Sequence, residues 1–385
     1  MRSLRDVKKS SDYYIDYSLI FIVLFLLGFG LIMVYSTSSY EASITASLKN
    51  DAAYYLKKQA FATVLGLIMM VIVANIPYHF WERFAVLGYI VSAVLIMLVL
   101  TPLGYEANGA RRWLNIGISV QPAEIAKLAM ILFLASMICK MGNGIKTKKG
   151  FRIVLLAPVP ISFLVWQITE NMSSAIIIFG IAFLMLFVSS PDYKKFVALA
   201  AGGAAVVAVA VFTIIKLEES GKLGVRALRV LAWLDPEAYA SGKGFQTLQA
   251  LYAIGSGGIF GKGLGQSMQK LGFLPEAQND MIFSIICEEL GLFGGIAIII
   301  LFLLLIWRFM IIANNAPDLF GALLVVGVLG HIAIQVILNI AVVTNTIPNT
   351  GISLPFISYG GTSVMFLLIE MGLVLSVAKG IKVKD

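Results

Sequence analysis

Long stretches of this chain carry no Asp, Glu, Lys or Arg. Residues 17–40, 59–81, 84–105, 171–191 and 196–215 are charge-free, 153–169 and 290–307 are slightly shorter windows, and 319–369 runs for 51 residues without a charge. A helix needs ~20 apolar residues to cross the hydrocarbon of a bilayer. The windows therefore predict spans at 15–36, 56–77, 81–101, 121–140, 151–169, 172–191, 195–216, 281–308, 319–343 and 355–378. The 121–140 span is apolar except for Glu124 and Lys127. The predicted fold class is an all-α polytopic membrane protein with ten transmembrane helices. The first apolar run, Ser18 to Tyr35, outlasts the ~7–15-residue core of a secretory signal, so it is predicted to be a span.

The polar positions between the windows set the orientation. With a cytoplasmic N-terminus, inside segments hold sixteen Lys and Arg, against five in the short outside segments. Cytoplasmic loops are the positive ones, so both termini are predicted to be cytoplasmic. The segment 217–280 then faces outward between the seventh and eighth spans, the one large extracytoplasmic piece of a single membrane domain covering 1–385. It contains Trp233, Phe245, Leu248, Leu251 and Tyr252, so it is predicted to be structured.

Composition agrees with this plan. Hydrophobic residues are 59% and charged residues 13%, against about a quarter charged in a soluble domain. The net charge of +8 is spread as loop clusters, which is a topology signal and argues for no nucleic-acid partner. Cys139 and Cys287 lie in apolar stretches and are placed for neither a disulfide nor a metal cluster. His79 and His331 share no motif and read as packed or helix-end residues.

Three constellations could carry chemistry. In "NGARRWLNIGISVQPAEIAKLA" (108–129), Gln121-Pro122 reads as a helix start. Glu124 and Lys127 follow on one face, either as a structural ion pair or as the lining of an outward cavity. Arg111 and Arg112 sit beside Trp113, where a phosphate or diphosphate would be met. The second, 241–283, has a helical stretch with Gln246 and Gln249, then a glycine-dense loop. A nucleotide P-loop fails there, because Gly261-Lys262 lacks Gly at 256 and Ser or Thr at 263. It closes on "LPEAQNDMIF", with Glu276 and Asp280 ahead of the eighth span. By residue physics Asp280 is a helix N-cap, with a catalytic group at the membrane surface as the alternative. The backbone N–H groups of 282 and 283 decide between the two. The third, "NTIPNTGISLPFISYGGTS" (345–363), includes Ser358 and Tyr359 and carries no charge. Irregular backbone between spans is tolerated when buried or lining a cavity, and this stretch reads as one wall of the outward cavity. Glu288, Glu289 and Glu370 fall in or beside spans; Glu288 is expected to face other helices, and Glu370 has no assigned role.

Together and in this order, these stretches resemble the SEDS family of bacterial peptidoglycan polymerases, whose members include FtsW and RodA. "NGARRW…QPAEIAKLA" is similar to the family's NGA-x-RW…QPSE-x-x-K block, with Ala123 where Ser is usual. "GKGLGQS…LPEAQNDMIFSIICEELG" matches the second block, with Gln278-Asn279 in place of His-Thr. "IPNTGISLPFISYGGTS" matches the third. Asn171, in "TENMSS", stands where many members carry an acid. "IMVYSTSSYEA" and "ANGARRW" lean toward the FtsW, division type, with the RodA, elongation type second.

The resemblance implies glycosyl transfer on lipid II at the outer face of the cytoplasmic membrane. Asp280 would be the general base, and Arg112 and Lys127 the diphosphate partners, with Glu124 orienting Lys127. Gln121, Glu276, Lys262, Gln246, Gln249, Ser358 and Tyr359 are further candidates for the substrate cavity. Cations for the diphosphate come from side chains or from a divalent metal, Mg or Mn. The implied partner is a class B penicillin-binding protein transpeptidase, within the division machinery at the septum. The competing readings are a flippase for a lipid-linked precursor, which the intramembrane charges also fit, and a non-catalytic scaffold.

Overall fold

The computed structural model describes residues 15–107, 110–115, 117, 119–190, 192–218, 225–242 and 244–381. Asn108-Gly109 of the first block, the basic residues before position 15 and Lys382 and Lys384 lie outside the described residues. The helices are α1 (Tyr17–Ile44), α2 (Tyr54–Asn75), α3 (Tyr78–Glu82), α4 (Ala85–Leu98), α5 (Pro122–Met141), α6 (Lys148–Leu156) and α7 (Val159–Ile168). They continue as α8 (Met172–Ser189), α9 (Tyr193–Glu218), α10 (Val225–Leu234), α11 (Phe245–Gly257), α12 (Ile282–Asn314), α13 (Leu319–Val343) and α14 (Gly361–Lys379). Among the described residues, nine of the ten predicted spans are long and apolar enough to cross a membrane, with α6 and α7 together making one of them.

The remaining span, predicted at 81–101, is interrupted at Arg83-Phe84, and α4 keeps 14 residues. At 1.5 Å per residue that is ~21 Å, short of a ~30 Å hydrocarbon core. The last predicted span begins six residues later than expected, at Gly361 instead of 355. Residues 355–360 form a turn held by the Ser358 hydroxyl, which accepts from the Leu354 N–H at 2.8 Å. Its text is charge-free, so hydropathy could not separate turn from helix. An all-α prediction also misses a small antiparallel sheet of β1 (Gly104–Ala107), β2 (Ala110–Asn115) and β3 (Ser119–Val120). These strands are short and lie between spans, where no periodicity announces them.

Small residues let α2 and α14 touch. A Cβ on Gly372 would stand 2.6 Å from the Met70 carbonyl oxygen, and one on Gly66 would stand 2.6 Å from Leu368. Close backbone approach of this kind is how helices pack without a hydrophobic driving force. At one end of the bundle Arg308 of α12 pairs with Asp16 at 2.6 Å, and Asp16 caps α1 through the Leu19 N–H at 2.9 Å. α9 stands apart: Phe196 packs on Phe151, Phe183 and Phe187, and most of the described side chains beyond it are exposed.

α12 is broken at Gly291, whose φ is 69°. The break frees backbone groups that hydrocarbon cannot satisfy, and the glycine-rich turn after α11 meets them. Lys262 and Gly263 N–H donate to the carbonyls of Glu288 and Glu289 at 2.9 Å, and Leu292 and Phe293 N–H donate to Gly258 and Ile259 at 2.9 and 3.2 Å. A side chain at 291 would meet the Ile259 oxygen at 2.3 Å, so this position takes glycine.

Candidate functional site

At the end of the bundle opposite Arg308 and Asp16, the segment leading into α12, α10, α11, β2 and the 345–360 stretch enclose a polar cavity of about 330 Å³. Arg112, Arg229, Gln246, Glu276, Asn279, Asp280, Asn349, Thr350 and Gly351 line it. They reach it from five separate parts of the chain. Asp280 enters from the residues before α12, and Asn339 of α13 holds that backbone in place. Its amide donates to the carbonyls of Asp280 and Ile352 at 2.8 and 2.7 Å, tying two walls together. Arg229 comes from α10, which is pinned to the 345–360 stretch by Trp233 Nε1 on the Asn345 carbonyl (3.0 Å) and by Asn345 Nδ2 on the Trp233 carbonyl (3.2 Å). Arg112 on β2 donates to the carbonyls of Thr169 and Glu170 at 3.1 and 3.2 Å, beyond the end of α7.

The cap question resolves against capping. α12 begins at Ile282 with Met281 as its N-cap, and no side chain caps it. The Asp280 carboxylate instead takes a long contact from Gln246 Nε2 at 3.5 Å, and Asn349 Nδ2 orients Gln246 through its Oε1 at 2.8 Å. Asp280 is only 9% exposed. Burial, and next the charge of Glu276, push its carboxyl up to about 7, against the pull of its own backbone N–H and of Arg229. Burial and the neighbouring Arg229 lower Arg112 from its usual value, with Glu170 opposing.

Asp280, Arg112, Glu276 and Gln246 are thus brought together, and the other sequence candidates are not. Lys127 is 1% exposed and pairs with Glu124 at 2.8 Å inside the bundle; Ser363 adds a bond to Glu124 at 3.3 Å. Lys262 is taken by Glu288 at 2.7 Å, because the turn that carries it is hydrogen-bonded to the α12 break. Glu288 therefore faces another helix, as expected, through α11 Ser256, and also the turn that follows α11. Gln121 is the N-cap residue of α5 and makes no side-chain cap bond. Gln249 sits farther along α11, outside the lining. Ser358 is spent on its turn, and Tyr359 stacks edge-on against Tyr55 at 4.9 Å, with its hydroxyl pushed up to about 12 by burial. Arg111 is bound to the carbonyls of Thr101 and Gly104, away from the cavity. Asn171 caps α8 through the Ser174 N–H at 3.0 Å.

Asn349, Thr350 and Gly351 fall in the 345–363 stretch that the sequence reads as a cavity wall, though not singled out there, whereas Arg229, Asn279 and the support from Asn339 were missed. A polar residue inside a charge-free window is a signal that could have found Asn339. Arg229 carried none, since one cation in a long loop looks like any other.

The chain belongs to the FtsW/RodA/SpoVE family of cell cycle proteins, whose model matches residues 17–382. It is 39% identical over 381 residues to stage V sporulation protein E of Bacillus subtilis, covering 97% of this chain and 98% of that one. It is 36% identical over 385 residues to the probable peptidoglycan glycosyltransferase FtsW of Trichlorobacter lovleyi, covering 98% and 96%. Among solved structures it superposes on a chain of a peptidoglycan synthase complex that coordinates polymerization and crosslinking, with TM-score 0.77, 26% identity and coverage of 94% and 97%. It also superposes on the rod shape determining protein RodA of Thermus thermophilus, with TM-score 0.66, 26% identity and coverage of 96% and 98%.

Proposed function

We propose that the cavity is where this peptidoglycan glycosyltransferase joins lipid II into glycan strands, with Asp280 as the general base. The observation that carries the reading is the Asp280 carboxylate itself: uncapped, buried in the cavity and pushed up to about 7. A base with its pKa near the working pH is suited to proton abstraction. The acceptor's GlcNAc 4-hydroxyl attacks the anomeric carbon of the donor sugar. Its proton passes to Asp280, the new C–O bond forms, and the bond to the undecaprenyl diphosphate breaks. Arg112 and Arg229, lining the same cavity, meet the charge that gathers on that diphosphate. Diphosphate is a good leaving group, so a second carboxylic acid of the kind glycosidases use is not required.

The positive-inside bias supports a cavity on the outer face and both termini in the cytoplasm. Among the described residues no three His, Cys, Asp or Glu form a metal cluster. Glu276 and Asp280 fit a magnesium or manganese ion only in company with substrate phosphate oxygens, as Mg often binds; so placed, the ion would neutralise diphosphate charge. The likeness to a polymerization and crosslinking complex supports a class B penicillin-binding protein as partner. The FtsW relatives support a division role at the septum, and septal versus side-wall localisation of a tagged copy distinguishes it from elongation. The catalytic test is reconstitution with purified lipid II and the transpeptidase. Asp280→Ala is expected to make no glycan strands; strands at the wild-type rate would end the base assignment. A wild-type protein that only moves lipid II across vesicle bilayers would make it a flippase instead.

A further inference from the structure

The topology signals put all of 217–280 in an outer, non-membrane segment. The backbone pairing puts part of it elsewhere. Gly258 and Ile259 accept hydrogen bonds from Leu292 and Phe293, so the turn after α11 lies level with the eleventh and twelfth residues of α12. Arg308, paired to Asp16 at the N-cap of α1, marks the far membrane boundary, and Trp307 beside it is exposed. Phe293 is 14 residues above Trp307, ~21 Å at the rise of an α-helix. That falls inside a hydrocarbon core of ~30 Å.

We infer that residues 257–264 form a re-entrant turn whose apolar tip, Ile259 and Phe260, is solvated by lipid acyl chains of the leaflet on the cavity side. The exposed surface has the matching chemistry. Phe260 is 84% exposed and Phe293 73%, and Ile259 and Leu292 beside them are exposed as well. This surface continues onto the outward residues of α12, Ile296 and Ile300, which a spanning helix shows to lipid. Several of the turn's backbone polar groups are met by protein, as a turn in hydrocarbon requires. The backbone of 258, 259, 262 and 263 is bonded to α12. Lys262, its side chain 34% exposed, bonds Glu288 and Ser256 at 2.7 and 2.9 Å, and the buried Lys270 bonds Glu289 and Ser36 at 2.7 and 2.9 Å. Lys270 is drawn onto its partners as a cation at membrane depth is. The two pairs also anchor the chain just before 274–281, so the residues that carry Glu276 and Asp280 are held at the membrane boundary. The inference stands on packing alone and does not depend on the role of Asp280.

The test uses the full chain in nanodiscs of phosphatidylethanolamine and phosphatidylglycerol. Single cysteines are introduced as Phe260→Cys, Phe293→Cys and Ser241→Cys with Cys139 and Cys287 replaced by Ala, and are labelled with a nitroxide. Collision with oxygen, which concentrates in hydrocarbon, is compared with collision with a water-soluble nickel chelate. Oxygen is expected to exceed nickel several-fold at 260 and 293, and the order to reverse at 241. Nickel accessibility at 260 equal to that at 241 would overturn the inference by placing the turn in water. Low accessibility to both reagents would overturn it too, because a protein surface, such as a second copy, would then cover the tip.

Discussion

Carboxylates are held in opposite ways in two regions of this molecule. Inside the bundle each has its partner: Glu124 takes Lys127, Glu288 takes Lys262, Glu289 takes Lys270 and Glu370 takes His331. Glu288 also accepts from Ser267 and the Met268 N–H. In the cavity, Asp280 is in none of the ion pairs among the described residues, and its side-chain contact is the 3.5 Å amide of Gln246. Buried charge is therefore not a sign of chemistry by itself. Where the lone pairs are met, the group ties elements together; where they face open space, it can take a proton.

Breaking a paired carboxylate has the largest expected effect, and it falls on stability. Lys127→Met leaves Glu124 buried without its cation, a cost of about 3–5 kcal/mol. Thermal unfolding in detergent is expected to move down sharply, and Glu124→Gln added to Lys127→Met to recover most of the loss. A single variant with wild-type stability and no polymerisation would place Lys127 with the substrate and erase the contrast. Arg229→Gln is expected to act the other way, leaving unfolding near wild type while polymerisation falls on the order of 10²-fold, the scale of one lost transition-state donor. An unchanged rate would remove Arg229 from the cavity's chemistry.

The smallest effect sharpens the comparison through pH. Asp280 must be ionised to act, so the rate rises as pH climbs through about 7. Glu276 is the second cause of that raised value, and Glu276→Gln is expected to shift the acid limb to lower pH. A limb that stays put would mean that another group titrates. The stability sign follows from the same shift. The folded-state value lies above the ordinary carboxyl of about 3.9, so ionising Asp280 costs stability as pH rises from about 4 to 7.

The spans were legible because a bilayer imposes a one-dimensional rule of length and charge. α13 falls where the charge-free window puts it, at Leu319–Val343. The rule failed where apolar text folds otherwise, as at 355–360. Within the site, Asp280, Glu276, Arg112 and Gln246 were legible from motif position. Lys262 was not separable from Arg229, because both are single cations in one long segment. Their fates depend on which carboxylate each one meets.

By itself the sequence determined nine of the ten spans it predicted, three polar blocks between them and an acid at the start of the eighth predicted span. Only the tertiary structure decided what that acid is free to do. The first helical residue falls at Ile282, so Met281 takes the cap position and the Asp280 side chain is released into the cavity. Its surroundings come from residues 112, 229, 246 and 349. Charge and hydrogen-bond partners so far apart in the chain leave no periodicity to read; they become neighbours only when the helices pack.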